Sequence, residues 1–137
     1  MTTAVETRSS FPLASVRVMV ADDDDLLRDA LSELLEQLGF TLVGSAADGS
    51  QAVVMAEDLV PDVILMDIRM PGVDGIAATR EITTRFPQVK VVMFSAYDDP
   101  ALTSSAMELG AFGYLVKGCP PKLIREVLVQ ASAYHPT

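Results

Sequence analysis

Polar side chains stand at the ends of apolar stretches of the sequence, and their types suit one kind of chemistry. They are two carboxylates after VRVMVA, a carboxylate closing DVILMD, a hydroxyl in VKVVMFSA and an ammonium closing AFGYLVK: Asp22, Asp23, Asp67, Ser95 and Lys117. Carboxylates that share a pocket repel one another unless protons or a cation neutralise them, and Mg²⁺ is the natural hard cation for oxygen ligands. A carboxylate beside Mg²⁺ can attack a phosphoryl group, while a hydroxyl and an ammonium help to neutralise the transferred charge. The residue types therefore indicate a phosphoryl-acceptor site.

The rest of the sequence alternates between short apolar runs and stretches with helical periodicity. The apolar runs predict strands over residues 16–21, 40–46, 62–67, 89–96 and 111–117. The periodic stretches predict helices over residues 26–38, 50–60, 76–86, 100–109 and 121–133. The spacing leaves room for one crossover helix each time, so the strands should be parallel, with helices on both faces of the sheet. We therefore predict an α/β fold: a doubly wound, five-stranded parallel sheet in the flavodoxin-like order 2-1-3-4-5, with five helices.

This topology determines which of the polar side chains meet. The carboxyl ends of parallel strands share one edge of an open sheet, and ligands bind there at the topological switch point. In the order 2-1-3-4-5 the first and third strands are neighbours, so Asp22 and Asp23 should lie beside Asp67. Ser95 and Lys117 close the next two strands and should lie close by.

Composition bounds the class of protein. The 137 residues suit a single domain, and 19 acidic against 10 basic residues leave a net charge of −9, which repels nucleic acid and favours a cationic partner or a metal ion. The single cysteine, Cys119, precludes an internal disulfide, and the lone His135 forms no zinc cluster. This cysteine usage is typical of a cytoplasmic protein. No apolar run approaches membrane-spanning length, so we expect no membrane partner. Residues 1–14 should form a flexible leader, 15–133 the domain, and 134–137 a C-terminal tail or the start of a linker.

Four blocks of the sequence resemble one known family. VRVMVADDDDLLRDAL, PDVILMDIRMPGVDGI, VVMFSAYDD and GAFGYLVKG are similar, in this order, to the signature blocks of the receiver domain of two-component response regulators. The residues in these blocks are most similar to those of the NarL/FixJ-like branch, and the resemblance covers roughly residues 16–133. Any one block would be weak evidence, but four in order at strand ends are specific. The resemblance implies the CheY-like form of the predicted fold and a role in phosphorelay signal transduction.

The resemblance also implies a role for each carboxylate. Asp67 matches the phospho-acceptor, which becomes an aspartyl phosphate. Asp22 and Asp23 match the metal-binding pair, with Asp23 a direct ligand and Asp22 often acting through water. The backbone carbonyl of Arg69 would be a further ligand. The implied cofactor is Mg²⁺, with Mn²⁺ as a substitute.

Other site residues follow from the same resemblance. Ser95 matches the hydroxyl residue that bonds the phosphoryl group, and Lys117 matches the lysine that pairs with a phosphoryl oxygen. Tyr114 matches the aromatic switch residue. The side chains of Arg69 and Tyr97 would flank the site and tune hydrolysis of the phosphoryl group.

The family's mechanism implies the partners. A sensor histidine kinase or a phosphotransfer protein phosphorylates the acceptor, Ser95 moves toward the phosphoryl group, and Tyr114 turns inward. The face formed by the fourth helix, fifth strand and fifth helix then changes and controls an output domain or effector protein. A phosphorylation-dependent homodimer would fit this scheme. Beyond slow self-dephosphorylation no enzymatic activity is expected, and the chain itself should not bind nucleic acid.

Two alternatives remain open at this point. The chain could be the receiver half of a LuxR-type DNA-binding transcription regulator, cut at its linker. It could also be a pseudo-receiver, a binding module that works without phosphorylation, although all five key positions carry the residues that phosphorylation requires.

The run ADDDD divides between two roles. Asp22 and Asp23 end the first strand, whereas Asp24 and Asp25 come where the first helix begins. We expect Asp24 and Asp25 to cap the free N–H groups of that helix and to complement its dipole, with Asp25 as a possible cap residue. Asp24 could also pair with Arg28 at i, i+4.

Overall fold

The computed structural model describes residues 13–134. Most of the leader predicted over residues 1–14, and residues 135–137 of the predicted tail, lie outside the described part. Residues 13–134 form a 3₁₀ turn, five strands and five helices. The turn is Leu13–Ser15, and the strands are β1 (Arg17–Ala21), β2 (Thr41–Ala46), β3 (Val63–Met66), β4 (Lys90–Ser95) and β5 (Gly113–Val116). The helices are α1 (Asp25–Gln37), α2 (Gly49–Leu59), α3 (Gly75–Arg85), α4 (Pro100–Glu108) and α5 (Pro121–Ala133).

The sheet has the predicted topology. The strand order is β2-β1-β3-β4-β5, and every neighbouring pair is parallel. The doubly wound α/β fold is therefore confirmed, and the element bounds differ by at most two residues from those predicted. The largest difference is at β5, which begins at Gly113 rather than at residue 111. Ala111 donates its N–H to the Ala106 carbonyl of α4 (3.0 Å), so this residue still belongs to the closing turn of that helix.

The core lies in two layers, one on each face of the sheet. On one face, alternate strand residues pack against α2, α3 and α4, and on the other against α1 and α5. The strands are consequently apolar on both sides, as a sheet covered by helices on both faces requires. The largest side chains with almost no exposed surface include Met19, Leu35, Ile64, Leu65, Met66, Ile82, Met93 and Leu128. Burial of each such side chain stabilises the fold by about 1.5–3 kcal/mol.

Aspartate begins most of the helices. In the described part of the chain, four of the five helices have an Asp N-cap whose carboxylate accepts a hydrogen bond from a backbone N–H of the first turn: Asp24, Asp48, Asp74 and Asp99. Each cap contributes about 1 kcal/mol and places negative charge at the positive end of a helix dipole. Four of the 19 acidic residues therefore serve the helix starts.

The start of α1 shows that part of the prediction for the run ADDDD is wrong. Asp24 is the N-cap, and its Oδ1 accepts from the Leu27 N–H at 3.1 Å. Asp25 is the first helical residue, not the cap, and pairs with Arg28 at 2.6 Å through i, i+3 spacing. The predicted i, i+4 pair of Asp24 with Arg28 is wrong because the Asp24 carboxylate turns back to the helix N-terminus.

None of the helices formed within residues 13–134 has the length and apolar character needed to cross a membrane.

The C-terminus of α2 has an unfavourable backbone conformation. Val60 has φ 45° and ψ 64°, and it is the only non-glycine residue at positive φ between residues 13 and 134. A β-branched side chain is strained in this left-handed region. The Val60 carbonyl accepts a hydrogen bond from the Arg17 guanidinium (2.8 Å), while the Val60 side chain is 49% exposed and loses little packing on truncation.

Replacing Val60 by Gly should therefore stabilise the domain by about 1 kcal/mol, because glycine adopts this conformation without strain. Val54, which is exposed in the middle of α2, is the matched control. Val54→Gly should destabilise by roughly half a kcal/mol, since glycine is a poorer helix former than valine. Urea unfolding measures the change in stability of both variants. If Val60→Gly lost as much stability as Val54→Gly, the backbone of Val60 would not be strained.

Candidate functional site

Backbone hydrogen bonds hold the predicted site residues at the carboxyl edge of the sheet. Asp22 follows β1, and its N–H donates to Ala46 at 3.0 Å. Asp67 follows β3, and its N–H donates to Ala21 at 2.9 Å. The Lys117 N–H, just past β5, donates to the Ser95 carbonyl at 2.7 Å. These ladder bonds continue the pairing of the strands past their ends, so these residues have well-defined positions.

Three carboxylates lie close together at the carboxyl edge of the sheet. One carboxylate oxygen from each of Asp22, Asp23 and Asp67 can be chosen so that all three lie within 4.8 Å of one another. Asp22 and Asp67 are buried, at 2% and 8% exposure, whereas Asp23 is exposed. The structure thus brings together the three aspartates that the topology predicted.

Lys117 is the cation inside this group. Its Nζ lies 2.9 Å from Asp22 Oδ2 and 3.5 Å from Asp67 Oδ1. The second oxygen of Asp22 accepts the backbone N–H of Asp24 at 2.9 Å, so both of its oxygens are engaged. Within residues 13–134 the Asp23 carboxylate has no hydrogen-bond or ion-pair partner. The three carboxylates therefore share one ammonium, and a net negative charge remains.

The pKa values of Asp67 and Lys117 are both raised in this group. Burial raises the pKa of Asp67, and the charge of Asp22 raises it further, although Lys117 opposes both effects. Burial would lower the pKa of Lys117, but its hydrogen bond to Asp22 and the charges of Asp67 and Asp22 outweigh burial and raise it. The site therefore destabilises the ionised form of Asp67 and keeps Lys117 charged.

The donor set fits a hard divalent cation. All three side chains offer carboxylate oxygen, and Asp23 is free to bind. A second cation beside Lys117 would also relieve the charge that raises the pKa of Asp67. An open cavity of about 570 Å³ adjoins the group, and Asp23, Arg69 and Leu102 are among its lining residues.

Tyr97 connects the remaining predicted residues. Ser95 is fully buried, and its Oγ accepts the Tyr97 N–H at 3.1 Å. The phenol of Tyr114 donates to the Tyr97 carbonyl at 2.7 Å. The guanidinium carbon of Arg69 lies 4.7 Å from the centre of the Tyr97 ring, a cation–π contact. The backbone and ring of Tyr97 thus join the loops after β3 and β4 to a residue of β5.

Arg28 contacts the site and was not predicted to do so. Its Nη1 donates to the Asp22 carbonyl at 2.6 Å, and its Nη2 donates to Asp25. The Arg28 side chain is only 15% exposed. Its spacing from the aspartate run was the available signal, but that spacing suggested a surface pair with Asp24. The arginine instead fixes the backbone between β1 and α1, which carries the acidic pair.

A glycine fixes the loop that follows Asp67. The Gly75 N–H donates to the Ile68 carbonyl at 2.7 Å, which brings the start of α3 against the end of β3. A Cβ added at Gly75 would overlap the Asp67 carbonyl oxygen. Any larger residue at this position must therefore displace the backbone of Asp67.

The fold and this acidic edge define a class of protein, and comparison with known sequences identifies the family. The family model described as the response regulator receiver domain matches residues 18–129. The transcriptional regulatory protein DegU of Brevibacillus brevis is 38% identical over 126 residues, which cover 88% of this chain and 53% of that protein. LnrK, a transcriptional regulatory protein of Bacillus subtilis, is 40% identical over 103 residues, 74% of this chain and 47% of that protein. The chain therefore belongs to the receiver domains of two-component response regulators.

Solved structures agree with this assignment. The receiver domain of the response regulator NarL from Mycobacterium tuberculosis is 34% identical with a TM-score of 0.80, and the match covers 87% of this chain and 98% of that one. A CheX–CheY complex with BeF₃ and Mg²⁺ from Borrelia burgdorferi is 25% identical with a TM-score of 0.80, over 86% of this chain and 90% of that one. The matched region spans about half the length of DegU and LnrK, which are transcriptional regulators.

Gly75→Ala should destabilise the domain by about 1–3 kcal/mol, the usual cost of forcing extra atoms into a well-packed site. Gly113→Ala is the matched control, because its Cβ would meet its nearest neighbour, a Val127 methyl, at an ordinary 3.4 Å. Thermal unfolding of both variants tests the expectation. Equal stability of Gly75→Ala and wild type would show that the loop after Asp67 does not need the close approach.

Asp67→Asn should stabilise the domain when unfolding is measured in EDTA at neutral pH. The folded-state pKa of Asp67 lies above its ordinary value of 3.8, so the ionised carboxylate costs folding free energy. This cost is absent below the ordinary pKa and complete above the folded-state pKa. The advantage of the variant should therefore grow as the pH rises from 3.8 through the folded-state pKa of Asp67.

Urea unfolding at several pH values measures this difference. Asp25→Asn is the control, since the Asp25 side chain is 80% exposed and no comparable gain is expected there. A variant at Asp67 that is less stable than wild type at neutral pH would contradict the expectation.

Proposed function

We propose that Asp67 accepts a phosphoryl group from a sensor histidine kinase or a phosphotransfer protein, in a reaction that requires Mg²⁺, with Mn²⁺ as a substitute. The observation that carries the proposal is the group of three carboxylates within 4.8 Å of one another, with Lys117 Nζ 2.9 Å from Asp22 and 3.5 Å from Asp67. Membership of the receiver-domain family supports it. So does the likeness to the CheX–CheY complex of Borrelia burgdorferi, which contains BeF₃ and Mg²⁺.

The residues of this chain have separate parts in the transfer. A carboxylate oxygen of Asp67 attacks phosphorus, and a P–O bond forms as the P–N bond to the donor histidine breaks. The imidazole leaves with the proton on its second ring nitrogen. Lys117 pairs with a phosphoryl oxygen, and the Ser95 hydroxyl donates to another. Burial of Asp67 limits the access of water to the reacting atoms.

Four groups would hold the metal ion: the side chains of Asp22, Asp23 and Asp67 and the backbone carbonyl of Arg69. Bound Mg²⁺ would neutralise charge on the phosphoryl oxygens. Asp23 is the best direct side-chain ligand in addition to the acceptor, because its carboxylate is free of other partners in the described structure. Asp22 already engages both oxygens, with Asp24 N–H and Lys117, which favours contact through water.

The same residues provide a route for a conformational switch. Movement of the Ser95 Oγ toward a phosphoryl group would break its hydrogen bond with the Tyr97 N–H. Tyr97 would then shift the carbonyl that anchors the Tyr114 phenol, and Tyr114 would turn inward. We propose that the face of α4, β5 and α5 changes as a result and controls a partner. Arg69 and Tyr97 flank the site and would tune slow self-dephosphorylation.

The output of the switch follows from the relatives. DegU and LnrK are transcriptional regulators, and the matched part of this chain covers only 53% and 47% of them. We therefore propose that the chain acts as the receiver part of a LuxR-type transcription regulator or as a separate receiver that acts on an effector. Protein CcdB of Bacillus subtilis favours the second possibility, because the match, 42% identical, covers 84% of that protein. In either case the chain would work in the cytoplasm through protein contacts, including a phosphorylation-dependent homodimer. With a net charge of −9 it would not itself bind nucleic acid.

Incubation with acetyl phosphate and Mg²⁺, followed by intact mass measurement, tests the proposal. Wild type should gain one base-labile phosphoryl group. Asp67→Asn should gain none, and Asp23→Ala should lose Mg²⁺-dependent phosphorylation because the free carboxylate of the group is removed. Asp25→Ala is the matched control in the same run of aspartates and should be phosphorylated like wild type.

Two outcomes would contradict the proposal. Equal losses in Asp23→Ala and Asp25→Ala would show that the run of aspartates is not divided between site and helix. A wild-type protein with neither a phosphoryl adduct nor a change on addition of beryllofluoride and Mg²⁺ would be a pseudo-receiver, a binding module independent of phosphorylation.

A further inference from the structure

We propose that Arg28 is a positioning residue for the cation site. It holds the peptide unit that joins Asp22 to Asp23, and this contact sets the affinity of the site for Mg²⁺. The inference rests on the proposed function of the acidic group. It goes further because Arg28 is neither a ligand of the cation nor a partner of the phosphoryl group. The arginine acts on the cation site through the backbone.

Asp23, the proposed direct ligand, is positioned by its backbone rather than by its side chain. Its carboxylate is exposed, and within residues 13–134 it has no hydrogen-bond or ion-pair partner. The side chain of Asp22, in contrast, is buried and bonded at both of its oxygens. The place of the Asp23 carboxylate beside Asp67 therefore depends on the loop between β1 and α1.

Arg28 fixes this loop at two carbonyl groups. Its Nη1 donates to the Asp22 carbonyl at 2.6 Å, and that carbonyl belongs to the planar peptide unit that ends at the Cα of Asp23. The backbone N–H of Arg28 donates to the Asp24 carbonyl at 2.8 Å. Because the Arg28 side chain is only 15% exposed, water competes weakly for the bond to Asp22. The direction in which Asp23 leaves the backbone is thus held from α1.

The ion pair of Arg28 with Asp25 decides the sign of the effect. An arginine near a cation site repels the cation, and its removal would by itself tighten binding. The Asp25 carboxylate, however, lies 2.6 Å from the guanidinium and offsets much of its charge. Removal of Arg28 therefore costs the site mainly its fixed backbone, since a loosened loop must be ordered when the cation binds. Cation binding should become weaker, not stronger.

Calorimetric titration of the full chain with Mg²⁺, without a phosphoryl donor, tests the inference. Arg28→Met should bind Mg²⁺ about tenfold more weakly than wild type, the usual effect of removing a group that orients a metal ligand. The double variant Arg28→Met/Asp25→Asn keeps the net charge and should be equally weak. Arg28→Lys, which keeps the charge and a donor, should lose no more than about threefold. Arg80→Met, at an exposed arginine of α3, should be unchanged.

Two further measurements separate positioning from a general loss of stability. In the metal-free chain, the amides of residues 23–25 should exchange hydrogen faster in Arg28→Met than in wild type, with no matching change in β3. At saturating Mg²⁺, the rate of phosphorylation by acetyl phosphate should equal that of wild type, because the ligands themselves are unchanged. Circular dichroism confirms that each variant is folded. If Arg28→Met perturbs folding, Arg28→Gln replaces it throughout.

The inference would be overturned if the Arg28 variant bound Mg²⁺ as tightly as wild type or more tightly, since the arginine would then act by its charge or not at all. An equal loss in Arg80→Met, or a slower phosphorylation that persists at saturating Mg²⁺, would also overturn it. Failure of the proposed function gives a different result, in which wild type itself neither binds Mg²⁺ nor gains a phosphoryl group from acetyl phosphate.

Discussion

The repulsion among three carboxylates at one edge of the sheet is the constraint on which the rest of the structure depends. Asp22, Asp23 and Asp67 approach within 4.8 Å, and one ammonium offsets part of their charge. Burial adds a cost that appears in the raised pKa of Asp67. Such a group persists only where the surrounding fold over-determines it. Here that support comes from strands whose buried residues have almost no exposed surface, and from ladder bonds that extend one residue beyond β1 and β3.

Backbone position, rather than residue type, separates the site aspartates from the structural ones. Asp22 and Asp67 stand one residue past a buried strand, where a carboxylate faces the edge of the sheet. Asp24 stands one residue before a helix, where it accepts the N–H of Leu27 and lowers the free energy of the helix start. Aspartates therefore serve two different purposes in this chain, at the strand ends and at the helix starts. An argument from net charge alone would have merged them.

Much of the fold and of the candidate site could be predicted from the sequence because both follow from periodicity. Apolar runs and helical spacing predict alternating strands and helices, and a doubly wound sheet of this size favours the order 2-1-3-4-5. That order places Asp22, Asp23 and Asp67 at one edge with Ser95 and Lys117. The remaining features depend on choices that spacing leaves open. Arg28 can reach carboxylates at i−3 and i−4, and it pairs with Asp25 because Asp24 is turned inward as the cap. The left-handed conformation of Val60 contradicts the local propensity of a β-branched residue, so spacing could not predict it.

The preference of Lys117 for Asp22 over Asp67 could not be predicted for a related reason, since it depends on a difference of less than an ångström between two loops. Differences of the same size decide the contacts of Tyr97. Its N–H donates to the Ser95 hydroxyl oxygen, and its carbonyl accepts the Tyr114 phenol. The backbone of Tyr97 makes both bonds, so Ser95 and Tyr114 are linked through a single residue. The Tyr97 ring also stacks under Arg69, so the loops after β3 and β4 resist moving separately. These contacts therefore connect the end of β4 and the loop after β3 to a residue of β5.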